Sequence, residues 1–147
     1  MRTIAVLGLC VVLAVPAIAR ADENEDQVAG SFTTQVVPCP TLCTQSTYAG
    51  DLRGTSDFTL TSLEGTSDPN VVRYVGTLII HTERGDLIGT DIGLWNTTTG
   101  NYTDTYQVTS GTGRYADATG IFKLKGTLDP ISGTGSSTYQ GTIVYPD

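Results

Sequence analysis

The sequence predicts an all-β fold: a single antiparallel barrel of seven to eight short strands, with a two-sheet sandwich as the alternative. Three observations carry this. Gly-Thr recurs at Gly54, Gly65, Gly76, Gly89, Gly111, Gly126, Gly133 and Gly141, and the first three intervals are 11, 11 and 13 residues, the length of a strand plus its reversal. Apolar and polar residues alternate with a period of two, in segments rich in threonine and other β-branched types. Beyond the first 21 residues no helical apolar period persists for ten residues, and helix formers are scarce.

The chain divides into three parts. Residues 1–21 read as a secretory signal peptide: Arg2, an apolar run from Ile4 to Val15, and the Ala19-Arg20-Ala21 cleavage pattern. That run is too short to span a bilayer as a helix, so the processed chain has no membrane anchor. Cys10 follows Leu9 rather than a small residue and is not read as a lipid-attachment site. Residues 22–30 open on the acidic DENED run and read as a flexible N-terminus. Residues 31–147 form the barrel domain. Cleavage before Asp22 leaves 126 residues, enough for one domain. Six basic side chains then face fifteen acidic ones, a formal charge of −9. Such a surface repels phosphate backbones and anionic lipid, so a nucleic-acid partner is excluded.

Within the domain, Ser31–Val37 is the first strand, ended by Pro38, and 39–46 is a loop. Cys39 and Cys43 close a disulfide there in an oxidising compartment, secreted or periplasmic; free thiols are the alternative. A metal site is not read, because His81 is the only histidine and no second cysteine pair exists in the exported portion. In 55–63, Phe58 and Leu60 share a face opposite Thr55, Asp57, Thr59 and Thr61. EGTSDPN over 64–70 is loop chemistry. The strand 71–82 places Val72, Tyr74, Gly76, Leu78 and Ile80 together. Val71, Val75 and Ile79 are apolar on its other face, which predicts burial on both sides.

Glu83-Arg84-Gly85-Asp86 reverses the chain. Strand 87–95 then aligns Leu87, Gly89, Asp91, Gly93 and Trp95, and NTTTGN turns it. Strand 102–109 aligns Tyr102, Asp104, Tyr106 and Val108. After the glycine-hinged stretch from Gly111 to Gly120, strand 121–128 aligns Phe122, Leu124, Gly126 and Leu128, and the last, 137–145, aligns Tyr139, Gly141, Ile143 and Tyr145. Mid-strand glycines at 76, 89, 93, 126 and 141 permit the tight coiling that closes a sheet and removes its edges.

The hinge, Gly111-Thr112-Gly113-Arg114-Tyr115-Ala116-Asp117-Ala118-Thr119-Gly120, resembles the G-T-G-[basic]-[aromatic]-x-x-A-x-G stretch of the allene oxide cyclase barrel superfamily, which includes dirigent proteins. The following KLKGTLDPISGTGSSTYQGTI is similar to the two closing strands of bacterial members. The resemblance covers about a quarter of the chain closely and the rest in strand rhythm alone. It implies a calycin-like, eight-stranded barrel around an apolar cavity, assembled as a dimer or trimer, and chemistry without cofactors in which cavity shape steers a reactive intermediate. Where dirigent proteins carry an arginine this chain has Thr119, and no catalytic residue is transferred.

In a barrel the face shared by Phe58, Leu60, Tyr74, Leu78, Trp95, Tyr102, Tyr106, Phe122 and Tyr139 points inward, either as plain core or as the wall of a ligand cavity. Of these, Phe58, Tyr74, Leu78, Trp95, Tyr102, Phe122 and Tyr139 are the candidate ligand-binding residues. Asp91 and Asp104 fall on the same face. A buried carboxyl must pair or take up a proton, which suits a general acid or base, with Tyr106 polarising the substrate; a strand slip at a glycine bulge would instead place both in water.

His81 and Glu83 share a face at a strand end, as a base pair or as surface groups. Arg114 is expected to bridge to an acidic neighbour such as Asp117. The sequons at Asn96 and Asn101 matter only where the source glycosylates. The first functional reading is an exported barrel that binds a small apolar or aromatic molecule. The second is a cofactor-independent cyclase or isomerase. The third, a secreted structural or partner-binding protein, would show an exposed aromatic patch.

Overall fold

The computed structural model describes residues 24–146, so the signal-peptide reading of residues 1–21 lies outside the described residues. Eight antiparallel strands run in chain order: β1 (Glu25–Val37), β2 (Cys43–Gly50), β3 (Gly54–Gly65), β4 (Val71–Thr82), β5 (Gly85–Asn96), β6 (Asn101–Gly111), β7 (Thr119–Leu128) and β8 (Thr134–Val144). Each pairs with its sequence neighbour, and β8 pairs back onto β1, which closes the barrel and excludes the sandwich.

The expectation of a flexible segment over 22–30 is corrected for its described part; residues 22 and 23 lie outside the described residues. Glu25 to Gly30 form the first half of β1, in register from Glu25↔Val144 to Gly30↔Tyr139. An acidic run with little apolar surface becomes strand here because the free edge of β8 supplies backbone partners. The loop expected over 39–46 is also shorter than read, since β2 begins at Cys43. The expected burial of β4 on both faces is not met in the single chain: Val71, Val75 and Ile79 keep partial exposure.

Two irregularities set the side-chain phase. In β3 the register passes from Leu60↔Gly76 to Ser62↔Val75, so Thr61 is the extra residue, and Leu63, paired with Tyr74 and still exposed, reaches the rim of the open end. Between β5 and β6 the register passes from Ile88↔Ser110 to Gly89↔Val108, so the extra residue is Thr109.

The two ends of the barrel differ. One end carries the β2–β3, β4–β5 and β6–β7 connections and is packed solid by Leu52, Ile80, Leu87, Val108, Phe122 and Ile143. The glycine hinge closes it: a short 3-10 turn at Gly113–Tyr115 brings Tyr115 and Ala118 into the core, both buried. Arg114 does bridge to a carboxylate, though one distant in sequence and not Asp117. It reaches Asp26 of β1 at 3.4 Å and lies over the Tyr145 ring at 5.1 Å, while the Tyr145 hydroxyl donates to the same carboxylate at 2.8 Å. This cluster ties hinge, first strand and chain end together. The other end carries the β1–β2, β3–β4, β5–β6 and β7–β8 connections, and it is open.

Cys39 and Cys43 form the expected disulfide and close the β1–β2 loop at that mouth. A disulfide points to an oxidising compartment. Among the described residues no helix is long and apolar enough to cross a membrane.

Candidate functional site

The open half of the barrel encloses a cavity of about 80 Å³, room for several waters or a compact organic group. Six aromatic side chains wall it: Phe32, Tyr48, Phe58, Tyr74, Trp95 and Tyr102. Phe32 and Tyr48 stack at 4.7 Å, and Phe58 meets Tyr74 edge-on at 6.0 Å, geometries that add about 0.5–1.5 kcal/mol each beyond their burial. Leu42, Leu60, Leu63 and Leu128 line it nearer the mouth. The Trp95 indole N–H donates to the Leu128 carbonyl at 3.2 Å and holds the ring in place.

Asp91 and Asp104 form the polar floor. Asp91 is 5% exposed and Asp104 7%, and both line the cavity. Strand phase explains this. The extra residue at the β5–β6 irregularity is Thr109, so it shifts neither the alternation of β5 through Asp91 nor that of β6 from Tyr102 to Val108. The Tyr74 hydroxyl donates to Asp104 Oδ2 at 2.6 Å. Gly93 makes the room: a Cβ there would sit 2.5 Å from the Tyr74 hydroxyl and 2.6 Å from the Asp104 Cβ. Tyr102 and Ser137 share a hydroxyl–hydroxyl bond at 2.5 Å, and Thr34 and Ser46 another at 2.8 Å. Asp91 Oδ1, Asp104 Oδ1 and the Tyr106 hydroxyl are buried without a hydrogen-bond partner.

The electrostatics follow from burial without a counter-ion. Among the described residues no arginine, lysine or histidine lines the cavity. Burial, then the charge of Asp104, holds the Asp91 carboxyl protonated well above the usual carboxylate range. Burial pushes Asp104 up to about 7, against hydrogen bonds from Tyr74 and Asp91 that favour its charge. At neutral pH the pair therefore holds at least one proton, carried by Asp91. Burial also raises Tyr48, Tyr74, Tyr102 and Tyr106, which stay neutral hydroxyls.

The structure thus brings Phe58, Tyr74, Leu78, Trp95, Tyr102, Asp91 and Asp104 to one cavity, as the alternation predicts. Tyr106 lies behind the floor, fully buried and opposite Asp91 in the β5–β6 register. Phe122 and Tyr139 do not line the cavity. They belong to the packed half, where the Tyr139 hydroxyl accepts the Leu52 backbone N–H at 2.8 Å. Alternation assigns a face, and height along the barrel axis separates wall from core. Sequence reasoning missed Phe32, Tyr48, Ser46 and Ser56. For Phe32 the period-two signal of Phe32 and Thr34 was present in SFTTQVV. For the serines, Ser46 fell in the segment read as loop, and Ser56 is a small polar residue that hydropathy does not mark as inward; Ser46 finds its partner in Thr34 of the neighbouring strand.

His81 lies on the outer surface, and Glu83 takes no part in its hydrogen bonds. Its Nδ1 meets Asp86 at 2.9 Å and its Nε2 meets Asp57 at 3.1 Å, an arrangement that wants a proton on both nitrogens. The bond to Asp86 raises its pKa most, followed by the bond to Asp57. A histidine raised on folding stabilises fully below its ordinary value of about 6.5, and that contribution is lost as pH rises through the folded value. The thermal midpoint of the barrel is expected to fall across that window, and His81→Gln to remove that part of the fall. An unchanged slope in the variant would contradict the assignment.

No protein-family model, curated protein or solved structure matches this chain.

Proposed function

We propose that this chain is an exported binding protein that holds a small apolar or aromatic molecule in the open half of its barrel. One observation carries the reading: an apolar, aromatic wall stands over a buried floor on which one oxygen of each carboxyl lacks a partner. Unsatisfied buried polar atoms are costly, and a bound molecule with one polar end would satisfy them. The disulfide at the mouth and the signal-like first 21 residues support export. Among the described residues the large exposed apolar side chains include no aromatic ring, which favours a cavity ligand over an aromatic docking surface.

Trp95 is the only tryptophan and lines the cavity, so its fluorescence reports occupancy. A panel of compact aromatic molecules is expected to include at least one that quenches it with one-to-one stoichiometry and raises the thermal midpoint. At a hundredfold excess over Kd the stabilisation is about 2.7 kcal/mol. Neither quenching nor stabilisation with any member would remove this reading.

A second reading, a cofactor-independent cyclase or isomerase, is favoured by the carboxyl pair itself. Two acids whose environments separate their proton affinities can divide the roles of acid and base. Protonated Asp91 would donate to a developing oxyanion, Asp104 would accept, and Tyr74 would orient Asp104. Under this reading Asp91→Asn abolishes turnover of a bound substrate while its binding persists.

A further inference from the structure

We propose that the ligand this cavity selects is an organic cation, a protonated amine carried on an apolar or aromatic body. The inference rests on the reading of the cavity as a binding site and names the chemical class that site takes. Two carboxyls sit on its floor, each with one oxygen lacking a partner, and among the described residues no positively charged side chain lines the space. A buried carboxylate left without a counter-ion is unstable, so the empty site must retain protons. An ammonium group supplies the missing charge and has three N–H donors to give to those oxygens. The walls suit the same guest. Phe32, Tyr48, Phe58, Tyr74, Trp95 and Tyr102 surround the floor on several sides, and aromatic faces attract a desolvated cation by up to about 2 kcal/mol each. An anionic ligand finds no positively charged partner among the described lining residues and opposes the charge of an ionised Asp104.

The groups that titrate around the floor are Asp91 on β5, Asp104 on β6, and the tyrosines Tyr48 on β2, Tyr74 on β4, and Tyr102 and Tyr106 on β6. The lining residues of β1, β3 and β7 carry no titratable group. Binding is an exchange of cations: the ammonium enters, the proton held by Asp104 leaves to solvent, and no covalent bond other than that O–H changes.

The test compares three probes of one shape: phenethylammonium, neutral phenethyl alcohol and anionic phenylacetate, followed by Trp95 fluorescence and calorimetry. Phenethylammonium is expected to bind tightest. Its affinity should rise roughly tenfold per pH unit up to about pH 7 and level off above it, with proton release in the rising range. Asp104→Asn, close to isosteric, is expected to weaken the ammonium by roughly thirtyfold or more while leaving the alcohol within a few-fold. The pH profile of the unaltered protein carries the test even where the variant folds poorly. Phenethyl alcohol binding as tightly as the ammonium, or ammonium affinity indifferent to pH, would overturn the cation inference and leave the binding reading standing. Binding of none of the three, with no quenching from the wider aromatic panel, would remove the binding reading and this inference with it.

Discussion

Asp104→Asn is expected to stabilise the folded barrel at about pH 8 by roughly 2 kcal/mol or more and to flatten its stability below neutrality. The sign follows from where the proton resides. Asp104 has an ordinary value of 3.8, and folding lifts it to about 7, chiefly by burial. Below the lower value both states hold the proton and the fold keeps its full stability. Between the two values the unfolded chain releases the proton while the barrel retains it, so stability drains away as pH rises. Above the folded value the deficit is constant, about 4 kcal/mol for a displacement of this size. An amide keeps the acceptor for the Tyr74 hydroxyl and never ionises, though its N–H groups must find partners of their own, which offsets part of the gain. Asp91 responds in the same direction, and the double change to asparagine should leave only the His81 window. Denaturant titrations at about pH 4, 6 and 8 measure this, since the slope of stability against pH counts the protons taken up. A wild-type profile that is flat over this range would show that neither carboxyl is desolvated. The acid–base reading would then fail with it.

Gly89→Val is expected to prevent accumulation of the folded barrel, a loss of more than about 4 kcal/mol. Gly89 sits where the β5–β6 register slips past Thr109, and the strands approach so closely that a Cβ would land on the Gln107 carbonyl oxygen, well inside contact distance. That oxygen is backbone and cannot swing away as a side chain could. The Tyr106 ring, 2.9 Å from the same point, closes the other escape. Valine would force β5 and β6 apart beside Asp91, and in a closed barrel such a separation propagates to every ladder. Loss of the β-type circular dichroism, or recovery only as aggregate, is the expected result. A soluble variant with wild-type stability would mean that the two strands are not held at this distance.

Much of this was legible in the sequence because side-chain direction in a strand is local. Each residue points opposite to its neighbour whatever the rest of the chain does. Alternation therefore placed Asp91, Asp104 and the tyrosines of β4 and β6 on one face, and turn chemistry located most strand ends to within two or three residues. The cysteine pair, four positions apart, needed only its chemistry. What tertiary structure alone decided is everything that depends on closure. Glu25 to Gly30 become strand through the edge of β8, more than a hundred residues away, and no local pattern records that partner. Phe122 and Tyr139 share the inward face with Tyr74 and Tyr102 but sit at a different height, so they fill the packed end while the others wall the cavity. The proton affinity of Asp104 has the same origin. Strand phase points the carboxyl inward, but its desolvation requires all eight strands to meet around it, and water exclusion is a property of the closed ring.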